Sequence, residues 1–100
     1  MIVLINSFEV EPQNEQAFLA GWKRVSEVME RRPGFIHTRL HRAVSTGARF
    51  VNVGEWESHE AFAAALASPE FREAAQGIVG LATMSPALYD VVYEATRENR

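Results

Sequence analysis

The segment from Asn52 to Phe62 constrains this chain most, because it turns from a strand pattern directly into a helix pattern. Strand side chains alternate with period two, so Phe50, Asn52, Gly54 and Trp56 share one face. An amide and an indole N–H on an otherwise apolar face place two hydrogen-bond donors in a dry environment. Two readings follow. The pair is a strapped-down piece of core, or it is the floor of a pocket for a flat ligand. After Trp56, Ser58 is a helix cap, and the predicted helix runs to about Leu66.

The remaining elements fall around this segment. Ile2–Val10 reads as a strand, apolar on both faces at its start, so both sides need cover. Asn14 is a candidate cap for a helix in which Phe18, Trp22, Val25 and Met29 form one apolar stripe. Arg32, Pro33 and Gly34 end it, since Pro disfavours helical geometry in the residue before it. Phe35–Ala43 reads as a second strand, in which Ile36, Thr38 and Leu40 alternate with His37, Arg39 and His41. A turn over Ser45–Ala48 makes a hairpin with a third strand, Arg49–Trp56. Ser68 followed by Pro69 and Glu70 is a second helix start. Gly77–Pro86 reads as a mixed connection, Ala87–Ala95 as the closing strand, and Thr96–Arg100 as a fraying tail.

This order, β-α-β-β-α-β over a single domain spanning residues 1–100, predicts an α+β ferredoxin-like fold: an antiparallel sheet with helices on one face. The helices leave the other face bare, although Ile2–Ile5 and Leu88–Tyr93 carry large residues at consecutive positions. A second copy of the chain would supply the missing cover, so a homodimer is expected.

Composition then removes whole classes of function. A net charge of −3 gives no basic stripe for nucleic acid. The chain has no Cys, which excludes thiolate nucleophiles, iron–sulfur clusters and Cys-based zinc sites. The apolar opening stops at Asn6 and does not read as a signal peptide, and no stretch approaches a membrane span. A cytoplasmic protein is expected. His37 and His41 share a strand face but stand about 13 Å apart along it. They cannot bind one ion within a chain, because two ligands of one metal lie within about 4 Å of each other.

Four further marks carry a family resemblance: Val10-Glu11-Pro12, Arg32 to Phe35, Trp56 to Phe62 and Ser68 to Phe71. With them the chain resembles the antibiotic biosynthesis monooxygenases over roughly Ile2 to Ala95. The resemblance implies a dimeric ferredoxin-like fold whose two sheets meet in a barrel-like core. The closer branch oxidises planar phenols or hydroquinones to quinones with O2, without metal or flavin. It places an Asn four residues before a Trp on the third strand, as Asn52 and Trp56 stand here. It also has an Arg in the setting of Arg72 and a Tyr where this chain has Phe62. By this resemblance Trp56 anchors a substrate oxygen, Asn52 donates to a phenolate or peroxy oxygen, and Arg72 neutralises charge. Asn6, His37, Phe62 and Trp22 are expected as substrate-contacting residues.

The haem-degrading branch is the alternative. Asn6 matches it, but its Trp position falls at Ala65 and its axial His near Ala75 and Gln76. A third alternative is a non-catalytic dimeric module for a small hydrophobic molecule. Plainer readings stand beside these: Trp56 as a packing anchor, Asn52 as a backbone bridge, Arg72 as a solvated helix residue, and Phe62 as core.

Overall fold

The computed structural model describes residues 1–45 and 47–98. Thr46 of the expected turn, and Asn99 and Arg100 of the expected tail, lie outside the described residues. The elements are β1 (Ile2–Val10), α1 (Glu15–Met29), β2 (Phe35–Arg42), β3 (Arg49–Trp56), α2 (His59–Leu66), α3 (Pro69–Ala75) and β4 (Ala82–Tyr89). Single 3-10 turns at Pro12–Asn14 and Gln76–Ile78 lead into α1 and out of α3. The four strands form one sheet in the order β2-β3-β1-β4, with every neighbouring pair antiparallel. This is the ferredoxin-like fold, its second helical position filled by α2 and α3, the two helices that the serine start signals predict. No helix among the described residues is long and apolar enough to cross a membrane.

Local signals account for most boundaries. The Ser58 hydroxyl accepts from Ala61 N–H and starts α2. The Ser68 hydroxyl does the same for Phe71 N–H, with Pro69 in the first turn of α3. Each cap satisfies a helix-end donor that would otherwise lack a partner. Asn14 makes no such side-chain bond, because the 3-10 turn holds it in helical geometry. Gly34 closes the α1–β2 connection at φ +88°, and its carbonyl accepts from Glu57 N–H at 2.8 Å. A Cβ there would come within 2.4 Å of the Ala61 Cβ. Glycine is therefore required twice over, by backbone conformation and by space.

Two strand expectations are corrected. The closing strand runs over Ala82–Tyr89, not Ala87–Ala95, and residues 90–98 carry no regular structure. Register explains the shift: β4 pairs with β1 from Val10↔Ala82 to Val3↔Tyr89, and by then β1 is almost used up. Pro86, the last residue of the expected connection, sits opposite Asn6 on this edge strand, where proline is tolerated. In β2, pairing jumps from Phe35↔Trp56 to His37↔Glu55. Ile36 is thus the extra residue of a β-bulge, and it is exposed. Phe35, not Ile36, joins Thr38 and Leu40 on the helix side.

The core forms two clusters on that side. At one end Phe8, Val10 and Phe50 of the sheet meet Phe18 and Ile78. At the other Trp56 meets Met29, Phe62 and Ala65. On the opposite face, Val3 and Ile5 of β1 stand beside Val51 and Val53 of β3, half-buried and covered by no helix.

Candidate active site

Between the two clusters lies a cavity of about 550 Å³, within the usual range for small-molecule sites. The strands set its floor by their register. Asn6 of β1 pairs directly with Asn52 of β3, and Leu4 with Gly54. Thr38 of β2 pairs with Gly54 from the other side. Trp22, Val25, Ser26 and Met29 of α1 form one wall, while Phe62 of α2 and Phe71 of α3 form another. The partly exposed lining residues Leu66, Val79, Met84 and Leu88 put the mouth between α2–α3 and the β4 edge.

The polar groups of this hollow are few and specific. Trp56 is only 2% exposed and is gripped edge-on by Phe35 and Phe62, at ring-centroid distances of 5.3 and 5.5 Å. Asn52 is also buried, and its Oδ1 lies 2.5 Å from the Thr38 hydroxyl. Neither the Trp56 indole N–H nor the Asn52 Nδ2 has a hydrogen-bond partner among the described residues. The wholly enclosed, unpartnered side-chain atoms among those residues are Asn6 Oδ1 and Arg32 Nε alone. The indole N–H and the Asn52 amide therefore keep open space beside them, and the hollow that both residues line is this cavity. No Asp, Glu, Lys, Arg or His is among its lining residues. Here are two donors in an apolar, uncharged container, the arrangement that favours an oxygen anion over bulk water.

The structure brings Asn6, Trp22, Asn52, Trp56 and Phe62 to one cavity. It leaves out His37 and Arg72. His37 pairs with Glu55 on the face turned away from the helices and is exposed. The place expected for it on the cavity side is taken by Thr38. Arg72 is exposed on α3, whose cavity-facing residues are Phe71 and Ala75. Within one chain neither reaches the hollow. Thr38, Gly54 and Ser26 were not foreseen as lining residues. Thr38 carries a signal in sharing a strand face with Leu40, as a hydroxyl on an otherwise apolar face.

The plainer reading of Trp56 is half right: it is a packed anchor, yet its N–H has no partner among the described residues. The haem alternative fits the lining poorly. Haem iron takes an axial His, Cys or Tyr, or Met together with His, and the cavity offers Met29 and Met84 but no His, Cys or Tyr. The axial-His region of the haem-degrading branch is occupied by Ala75 and Gln76, and His59 stands at the start of α2.

The dry, donor-bearing hollow between sheet and helices of this ferredoxin-like domain has the form of a small-molecule site. Residues 1–77 match the antibiotic biosynthesis monooxygenase family, and the chain belongs to it. It is 30% identical over 88 residues to the deoxynogalonate monooxygenase of Streptomyces nogalater, covering 88% of this chain and 74% of that protein. The solved structure of SnoaB, a cofactor-independent oxygenase from Streptomyces nogalater, superposes with a TM-score of 0.87 at 28% identity over 97% of each chain. A solved protein from Deinococcus radiodurans shares the fold alone, with a TM-score of 0.85 at 13% identity over 99% of this chain and all of the other.

Proposed function

We propose that this protein is a cofactor-independent monooxygenase that converts a planar phenol to a quinone with O2. One observation carries the reading: the Asn52 and Trp56 N–H groups share an apolar cavity lined by no ionisable side chain. The likeness to a cofactor-independent oxygenase supports it.

The chemistry balances without an external reductant. The phenol loses its proton, and the two donors hold the oxyanion that results. The electron-rich ring passes electrons to O2, and a C–O bond forms at a ring carbon that bears hydrogen. The peroxide then loses its O–O bond as that C–H proton departs. One oxygen stays as the new carbonyl, and the other leaves as water. Donors fixed in a water-poor site favour the anion without reorganising during the reaction. With no base in the lining, the phenolic proton passes to solvent at the mouth. Phe62 serves as a wall, and Arg72 has no role within a single chain.

A homodimer belongs to this reading, because Val3, Ile5, Val51 and Val53 form an apolar strip on a sheet face that no helix covers, and a second copy would bury it. The test is oxygen uptake with a panel of phenols and anthrones, followed by product analysis. Wild type is expected to consume one O2 per quinone formed, and Trp56→Phe and Asn52→Ala each to slow uptake about 10²-fold or more. Unchanged rates in both variants would overturn the assignment of these donors.

A further inference from the structure

We propose that Thr38 is a positioning residue that fixes which end of the Asn52 amide faces the cavity. The inference rests on the reading that the cavity holds an aromatic oxygen. An asparagine is ambivalent: one end accepts, the other donates, and a half-turn of the amide exchanges them with little change of shape. A site meant to hold an anion needs the donor end, so something must choose.

Thr38 and Asn52 belong to adjacent strands, and Thr38 pairs directly with Gly54. This register brings the Thr38 hydroxyl to the Asn52 amide across the strand boundary. The 2.5 Å separation between Thr38 Oγ1 and Asn52 Oδ1 belongs to the O–H···O range and is shorter than an N–H···O bond. The hydroxyl therefore donates to the amide oxygen. Turned over, the amide would donate Nδ2–H to the hydroxyl and turn its oxygen to the cavity, and the hydroxyl proton would be left without its acceptor in a buried place. A single neutral hydrogen bond biases such a choice roughly two- to tenfold.

Gly54 completes the device. A Cβ at this position would stand 3.3 Å from Thr38 Oγ1 and 3.8 Å from Asn52 Nδ2. The missing side chain leaves open floor beside the donor end, where the edge of a flat ligand can approach. The ligand class follows: a planar ring system presenting an acceptor oxygen at its edge.

The test compares two ring systems of the same shape by calorimetric titration: 1,4-naphthoquinone, which carries acceptor oxygens, and naphthalene, which carries none. The quinone is a usable probe because the chain has no Cys to react with it. Wild type is expected to favour the quinone over naphthalene. Thr38→Ser should keep that preference, and Thr38→Val should lower the ratio of quinone to naphthalene affinity by up to about twofold, as the donor-facing share of the amide falls toward one half. Thr38→Ala repeats the measurement should Thr38→Val fail to fold. A preference unchanged in the hydroxyl-free variant overturns the role of Thr38 and leaves the cavity reading standing. Wild type that binds both probes without preference, or neither, overturns the cavity reading and this inference with it.

Discussion

Two aromatic trios hold this molecule together, and they do different work. In one, Phe18 of α1 sits between Phe8 and Phe50, with ring centroids 5.0 and 5.2 Å away. In the other, Trp56 sits between Phe35 and Phe62 at similar spacing. What differs is the neighbourhood. Phe18 is wholly enclosed, whereas every ring of the second trio borders the hollow. Along β1 the helix-side residues read Phe8, Asn6, Leu4, and along β3 they read Phe50, Asn52, Gly54, Trp56. The cavity thus arises where polar or side-chain-free positions interrupt the apolar face midway. The rings on either side then act as its ends.

The first way to break this comparison is to truncate one ring from each trio. Phe18→Ala leaves a void in close-packed surroundings and is expected to cost about 3–5 kcal/mol. Phe62→Ala removes a ring that already faces open space and loses fewer packing contacts, so its cost should fall below about 3 kcal/mol. Urea denaturation of both variants measures the difference. Equal losses would mean that the hollow end is as tightly packed as the closed one.

A substitution in the interrupted strip sharpens the same contrast. Asn52→Leu replaces a buried, half-satisfied amide with an apolar side chain of similar size. The unpaired amide N–H costs about 1–3 kcal/mol where no ligand meets it, and the Thr38 hydroxyl that loses its acceptor costs a similar amount in the variant, so the variant should stay within about 1 kcal/mol of wild type. Oxygen uptake should fall about 10²-fold or more. Proteins often cede stability at working sites in this manner. Thermal unfolding and uptake measured on one preparation decide it; a large loss of stability would show that Asn52 is structural.

Much of this is legible in the amino-acid sequence. The helical stripe Phe18–Trp22–Val25–Met29 named the buried side of α1, and two capping serines marked α2 and α3 separately. Period-two alternation put Asn52 and Trp56 on one face, since that inference needs only one strand. What failed needed two strands at once. The start of β4 depends on where β1 has bonds to offer, and the β-rich run Leu88–Tyr93 outweighed Pro86 when read alone. The bulge at Ile36 depends on the β2–β3 register, which also puts Thr38 against Asn52. His37 and Arg72 were expected at the site by resemblance, although the alternation of His37 with Thr38 and Leu40 and the plainer reading of Arg72 as a solvated helix residue already pointed away from it.

The smallest expected effect lies at the closed end, where Arg42 of β2 reaches Glu15 in the first turn of α1 as an ion pair. Both side chains keep substantial solvent contact, 53% and 30% exposed, and pairs of this kind are worth about 0–1 kcal/mol. Glu15 also meets the positive end of the helix dipole, which adds a few tenths. Glu15→Gln should therefore cost about 0.5 kcal/mol at low salt, and the difference should largely vanish near 1 M salt, where charges are screened within about 3 Å. Arg42→Ala should cost more, because its guanidinium carbon also lies 5.3 Å from the centre of the Phe50 ring. That contact is worth about 0.5–1 kcal/mol when exposed and survives salt better than the ion pair does. Ligand binding should be untouched in both variants, since neither residue lines the cavity. A salt-insensitive loss in Glu15→Gln would show that this clasp works through packing and that charge contributes little to closing that end.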